Sequence, residues 1–406
     1  MAISKSPHAD VHFSENHIRL IVVVILCFYP LVGMGIDLIT PSLPTISHAL
    51  HSSTHFAKNL ITLYLLGYAF GNLIIGFLSD TLGRRHLMCA GFFIFILASL
   101  LPTFFEKPSV LLFSRLLQGF TIAAFGVIGR AVLSDVLPKE KLIQYATLIS
   151  TMWGIGPIIG PLIGGYLQFY FNWQACFYFF AFMGFLGFLA SLFIIPETHF
   201  IRQTFQLQQI KQNLITIISH RLFLGSVLLM GIAYSLLIAF NTLGPFLIQT
   251  SFGYSPVFFA HVALVLGIFY LCSSFLCRYY LKRFSAEDIL GCAIRFFLLI
   301  AVVSYGLSLL DPNNIWALIV PSLLMFVACG TIYPVCMGKG LSLFRHLAGS
   351  GSAIMSFVNV LITSFTALLM SFLHTSNAVS VNLIYLGLML AASLVYFFLL
   401  NRPSST

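Results

Sequence analysis

Charge is what this chain has least of. Only 8% of its 406 residues are Asp, Glu, Lys or Arg, and just eleven are acidic, against roughly 25% charged residues in a soluble domain. Long polar stretches are also missing, so no room is left for a soluble domain; the longest interruption runs from Glu197 to His220. Catalytic signatures are absent. Gly338-Lys339-Gly340 lacks the upstream glycine spacing of a phosphate-cradling loop, and neither HExxH nor GxSxG occurs, so ATP hydrolysis and membrane proteolysis have no support. The eight cysteines (Cys27, Cys89, Cys176, Cys272, Cys277, Cys292, Cys329 and Cys336) all lie in apolar stretches. None is paired across an exposed loop and the Cys272/Cys277 spacing fits no zinc pattern, which leaves them as small packing residues.

What is present is apolar surface. The chain is 59% hydrophobic with a mean hydropathy of +0.99. A bilayer-spanning helix needs about 20 mostly apolar residues. Twelve runs qualify: 20–45, 57–78, 87–105, 110–135, 143–169, 174–195, 221–249, 255–280, 287–309, 314–341, 349–373 and 379–400. The expected fold class is an all-α membrane protein of twelve transmembrane helices in two pseudo-symmetric six-helix bundles. Residues 1–196 form the first bundle, 197–220 a linker on the cytoplasmic side and 221–406 the second bundle. A faint repeat supports the division: the basic part of the Gly76–Arg85 loop recurs in Arg278–Asp288, about 200 residues later. Two related bundles with a site between them near the midplane is a recurring transporter plan.

Positive charge sets the orientation. With residue 1 on the cytoplasmic side, fifteen of the twenty Lys and Arg lie in or near cytoplasmic segments, and only Lys58 and Lys107 fall outside. Both termini are therefore expected in the cytoplasm. The net charge of +9 is spread over one membrane face, not gathered on a solvated domain as a nucleic-acid partner requires. Residues 1–18 are polar and the first apolar run is long and contains Asp37, unlike a cleaved signal peptide.

Charges inside a bilayer cost about 2.5–3.5 kcal/mol each even on insertion scales. Asp37 is the one acid well inside a run, and Arg115 falls at a similar depth on the antiparallel fourth run. An ion pair or shared polar network between them offsets part of that cost. Ionisation of Asp37 then depends on its solvation and its distance from the guanidinium, so a conformational change that alters either one loads or releases a proton. Asp37 with Arg115 is the expected proton-coupling pair; the competing reading is a static salt bridge. Other interior polar groups are weaker signals: His261 is a proton relay or a satisfied core histidine, and Lys339 snorkels to the cytoplasm or narrows substrate choice.

Five stretches carry a family resemblance, the first being Asp37-Leu38-Ile39-Thr40-Pro41-Ser42-Leu43-Pro44 in the first run. Gly76-Phe77-Leu78-Ser79-Asp80-Thr81-Leu82-Gly83-Arg84-Arg85 is a short charged turn between two apolar runs. Arg115-Leu116-Leu117-Gln118-Gly119 opens the fourth run, and Gly129-Arg130-Ala131-Val132-Leu133-Ser134-Asp135 closes it. Gly154-Ile155-Gly156-Pro157-Ile158-Ile159-Gly160-Pro161-Leu162-Ile163-Gly164-Gly165 places Gly156, Gly160 and Gly164 every four residues, a smooth face for close helix approach, while Pro157 and Pro161 remove backbone donors. Together these resemble the major facilitator superfamily, and most closely its Bcr/CflA-type drug:proton antiporters. The detailed likeness covers 30–175; Gly244-Pro245-Phe246 and Ala348-Gly349-Ser350-Gly351-Ser352-Ala353 extend it more loosely.

The resemblance implies a latch in which Asp80 and Arg84 engage Asp135; the competing reading is a solvated, minor salt bridge. It also implies a cavity lined by helices 1, 4, 7 and 10, with Tyr29, Gln118, Arg130, Tyr234, Asn241, Tyr333 and Met337 as candidate wall residues. Arg130 attracts anionic groups or snorkels. The function so implied is proton-coupled export of small amphiphilic compounds across a bacterial inner membrane by a monomer, with small molecules, protons and lipid as partners, no nucleic acid, and neither metal nor cofactor. An uptake symporter of the same fold, a channel and a transport-dead sensor are the alternatives.

Overall fold

The computed structural model describes residues 14–198, 215–343, 348–373 and 376–400. Most of the expected linker, 199–214, lies outside the described residues. Twelve long helices follow in chain order: α1 (Glu15–Asp37), α2 (Thr54–Leu82), α3 (Arg84–Phe104), α4 (Pro108–Val136), α5 (Lys139–Tyr170), α6 (Gln174–Phe193), α7 (Arg221–Pro245), α8 (Pro256–Tyr280), α9 (Ala286–Leu310), α10 (Trp316–Leu343), α11 (Ala348–Ser371) and α12 (Ala378–Val395). Among the described residues, eleven helical segments are long and apolar enough to cross a membrane. Helix starts are set locally. Ser14, Ser53, Ser255 and Ser285 each accept a hydrogen bond from a backbone N–H three residues on, satisfying a donor the helix cannot pair itself.

The helices pack as two sets of six. In the first, α2 lies on α4, α1 on α5, and α3 on α4 and α6; in the second, α7 lies on α10, α11 and α12, and α10 on α8 and α9. Two seams join the sets, α2 against α11 and α5 against α8. Chain direction gives the assembly a basic end, with Arg84, Arg85 and Lys339, and a far end, with His55 and Leu373.

Helix α5 is held between the two seams' partners by its missing side chains. A Cβ on Gly156 would stand 2.5 Å from the Pro30 carbonyl of α1, and one on Gly164 would stand 1.8 Å from the Leu38 carbonyl. Gly160 is looser, with Leu38 N at 3.3 Å and the Asp37 Cβ at 3.4 Å. On its other face Gly165 approaches Pro256 and Ala260 of α8. The glycine stripe thus sets the depth and rotation of α1 and with them the position of Asp37.

The α2–α3 turn is shorter than the sequence implies. Residues 76–82 stay helical and the reversal falls on Gly83 alone, at φ 94°, a conformation L side chains rarely adopt. The physical reason lies over a hundred residues away. Glu197 accepts from the backbone N–H groups of Arg84 and Arg85 at 3.0 and 3.2 Å, capping the positive start of α3, and sits 2.7 Å from where a Cβ on Gly83 would be.

Alanine at the α5 glycines separates the tight contacts from the loose one. Gly156→Ala and Gly164→Ala each force two backbones apart, cost about 1–3 kcal/mol or more of overpacking, and lower the melting temperature in detergent. Gly160→Ala changes it little, and thermal unfolding of the three purified variants checks the order.

Candidate functional site

Asp37 ends α1 for a backbone reason. Pro41 has no N–H to give the Asp37 carbonyl, and the Thr40 hydroxyl donates to it instead at 2.7 Å. Helix α1 stops there and the chain continues as a 3-10 turn, Thr40–Ser42, where an unbroken apolar run over 20–45 had been expected to continue as helix. The Asp37 side chain is 1% exposed. Its Oδ1 accepts from the Asn241 amide of α7 at 2.5 Å, and its Oδ2 has no hydrogen-bond partner among the described residues. One carboxyl therefore touches both six-helix sets.

Arg115 is fully buried but does not pair with Asp37. Its guanidinium donates to the Gly35 carbonyl at 2.7 Å, the Leu60 carbonyl at 3.3 Å and Gln118 Oε1 at 2.9 Å, and lies 4.2 Å from the centre of the Tyr64 ring. Of the two expected arrangements, an ion pair or a shared polar network, no ion pair forms; the link runs through the backbone two residues before Asp37. Similar depth on neighbouring helices does not fix where a side chain points, and buried carbonyls satisfied the fork first. Gln118 is also corrected: it is fully buried and donates to Ser99 of α3 at 2.7 Å, inside the first set and away from the cavity. Three residues from Arg115, it shares that residue's helix face.

At the basic end Arg84 forms an ion pair with Asp135, and Thr198 Oγ1 donates to the same carboxylate at 2.6 Å. The Asp80 side chain lies outside the described residues. Glu197 and Thr198, which the sequence reading missed, join this cluster from the end of α6. Lys339, expected to snorkel, reaches Glu287 at the start of α9 at 2.5 Å. His261 is exposed and bonds the Val257 carbonyl at 2.9 Å.

The far end is tied across the two sets. Lys58, 1% exposed, donates to the Leu373 carbonyl at 2.7 Å and lies 5.4 Å from the Phe246 ring centre. His55 Nδ1 donates to the Ser371 carbonyl at 3.1 Å, Ser364 Oγ to the Thr62 carbonyl at 3.0 Å, and Gln249 to the Pro41 carbonyl at 2.9 Å. Backbone carbonyls at the end of α11 are natural acceptors for Lys58 and His55.

Below those ties lies a narrow cavity of about 20 Å³ lined by Trp153, Pro157, Tyr234, Asn241, Tyr270 and Phe326, among others, room for about one water. Tyr234 and Asn241, two of the candidate wall residues, line it. Tyr29 is buried and donates to the Gly126 carbonyl at 2.6 Å; Tyr333 is half-buried, 6.1 Å from Tyr234; Met337 is half-buried and does not line this cavity. Trp153 and Tyr270 were missed. Trp153 stands four residues before Pro157, on the same helix face, and that spacing was the available signal.

Comparison with known proteins gives this geometry a lineage. The family model of the Major Facilitator Superfamily matches residues 25–367. The chain is 25% identical over 370 residues to a bicyclomycin resistance protein homolog of Haemophilus influenzae, covering 91% of this chain and 93% of that one. It is 26% identical over 380 residues to the multidrug resistance protein MdtL of Salmonella typhimurium, covering 93% and 94%. Its fold matches a crystal structure of a D-xylose-proton symporter with a TM-score of 0.76 at 16% identity, over 94% of this chain and 98% of that one. Twelve helices in two sets, the family match across most of the chain and the shared fold together show that this chain belongs to the Major Facilitator Superfamily.

Proposed function

We propose that the protein exports small amphiphilic compounds in exchange for protons, with Asp37 as the proton carrier. The observation that carries this reading is the Asp37 carboxyl itself: buried, bonded through one oxygen to Asn241 of the opposite set, and open at the other oxygen. A proton can add at Oδ2 without displacing Asn241. The Asp37–Asn241 contact belongs to the far-end closure, so opening that end separates the two residues and admits water to the carboxyl. Binding of a proton there lowers the cost of burying the group again, which favours the return to the arrangement with a closed far end. Arg115 tunes the carboxyl through the Gly35 peptide, and a substrate entering from the basic end displaces the proton.

Several features support export in particular. The relatives whose names speak of bicyclomycin and multidrug resistance match over more than nine-tenths of the chain, and the α5 glycine stripe, Gly156, Pro157, Gly160, Pro161 and Gly164, which resembles the helix-5 motif of the family's antiporters, packs directly on the helix that carries Asp37. In this reading the basic end faces the cytoplasm with both termini, the membrane is the bacterial inner membrane, and the Arg84–Asp135 pair with Asp80 steadies the basic end of the first set, residues 1–196, as it moves against the second, residues 221–406.

Asp37→Asn keeps the Asn241 contact and the fold but cannot carry a proton. In inverted vesicles it abolishes substrate-driven proton movement; full proton movement by this variant refutes the assignment. Asn241→Ala leaves the buried carboxyl without its donor when the far end is closed, a loss of about 1.5–3 kcal/mol for a bond to a charged group. The population with an open far end therefore rises, and a cysteine placed at Thr62 in a cysteine-free background reacts about tenfold or more faster with an impermeant thiol reagent from that side, 1.4 kcal/mol being a factor of ten.

A further inference from the structure

The buried cations of this protein have partners. Arg84 has Asp135, Lys58 has the Leu373 carbonyl, and Arg115 has two carbonyls and Gln118. Arg130 of α4 does not fit that pattern. Its Nε donates to the Gly126 carbonyl at 3.1 Å, yet its two terminal nitrogens make no hydrogen bond or ion pair with any described residue. The side chain is exposed although it sits six residues before the end of a membrane helix.

Its direction argues against snorkelling. Helix α4 runs from the far end to the basic end, and Gly126 lies one turn nearer the centre of the bundle. A snorkelling side chain reaches toward the nearer surface; this one folds back toward the midplane. There it lies within electrostatic reach of the Tyr29, Tyr68 and Tyr333 hydroxyls, which come from both six-helix sets. Tyr29 donates to the same Gly126 carbonyl at 2.6 Å. From this point a row of rings leads toward Asn241: Tyr333 to Tyr234 at 6.1 Å, and Tyr234 to Trp153 at 6.0 Å.

We infer that Arg130 is the recognition residue for an anionic headgroup, and that the compounds taken best by the space between the two sets, once it widens beyond its present one-water volume, are aromatic acids. Two free guanidinium nitrogens match the two oxygens of a carboxylate, and the adjoining rings take a flat apolar body in offset or edge contact. The acid docks its headgroup on Arg130 and lays its ring system along Tyr333, Tyr234 and Trp153, next to Asn241 and hence to Asp37. This inference names the substrate class of the site proposed above and rests on that cavity being the transport site.

The test is binding to the purified full-length chain in detergent, by titration calorimetry, of 2-naphthylacetate, its neutral amide and the corresponding amine. Wild type binds the acid at least about tenfold more tightly than the amide, as one charge-assisted bidentate pair implies, and binds the amine most weakly. Arg130→Gln brings the acid-to-amide ratio to about one, and Arg130→Lys, which keeps the charge without the fork, falls between them. Monodisperse elution of both variants on size exclusion establishes that they fold. Equal affinity of wild type for acid and amide, no binding of the acid, or an undiminished preference in Arg130→Gln overturns the inference. A chain that binds the acid through Arg130 but moves no protons in vesicles refutes the exporter reading and leaves this one standing.

Discussion

A single contact across the midline organises this molecule: the Asp37 carboxyl of α1 against the Asn241 amide of α7. A carboxyl in a membrane interior is costly and needs a reason, and a hydrogen bond across the boundary between the two six-helix sets supplies one in the proposed cycle. In the proposed cycle the group is sheltered only while the far end is shut. Its protonation state and the arrangement of the two sets are then linked by thermodynamic necessity, because whatever changes one changes the free energy of the other.

The rest of the structure prepares that contact. Helix α1 breaks after Asp37 because Pro41 has no amide proton to give it, and Thr40 closes the freed carbonyl. The glycine stripe on α5 lets α1 settle at backbone contact distance. Arg115 does not neutralise Asp37 directly; it pins the Gly35 and Leu60 carbonyls of α1 and α2 together with Gln118. Its charge is therefore near the acid but held by the scaffold, a fixed field instead of a mobile counter-ion. A direct salt bridge would favour one charged state throughout; a held, offset cation leaves the carboxyl free to respond to water.

Much of the fold was legible because the bilayer imposes a length. Runs of about 20 apolar residues marked all twelve helices, and the interior acid stood out against a nearly charge-free background. Directions within the bundle were harder. Depth along two antiparallel helices suggested that Asp37 and Arg115 meet, but depth does not determine which carbonyls a guanidinium finds first. Gln118 was assigned to the cavity, while its three-residue spacing from Arg115 already placed it on the same buried face. Glu197 was invisible as a cap because its partners, the Arg84 and Arg85 amides, are more than a hundred residues distant in the chain. Tertiary partners of that kind leave no local pattern to read.

The central claim is that substrate and proton compete for one carboxyl. The most direct measurement is proton release from the purified protein when an exported compound is added, followed with a pH indicator in weakly buffered detergent solution. The account predicts release on addition of substrate to the wild-type chain and none from a chain carrying Asn in place of Asp37. Release of equal size from both, or binding of substrate without any release, would contradict it.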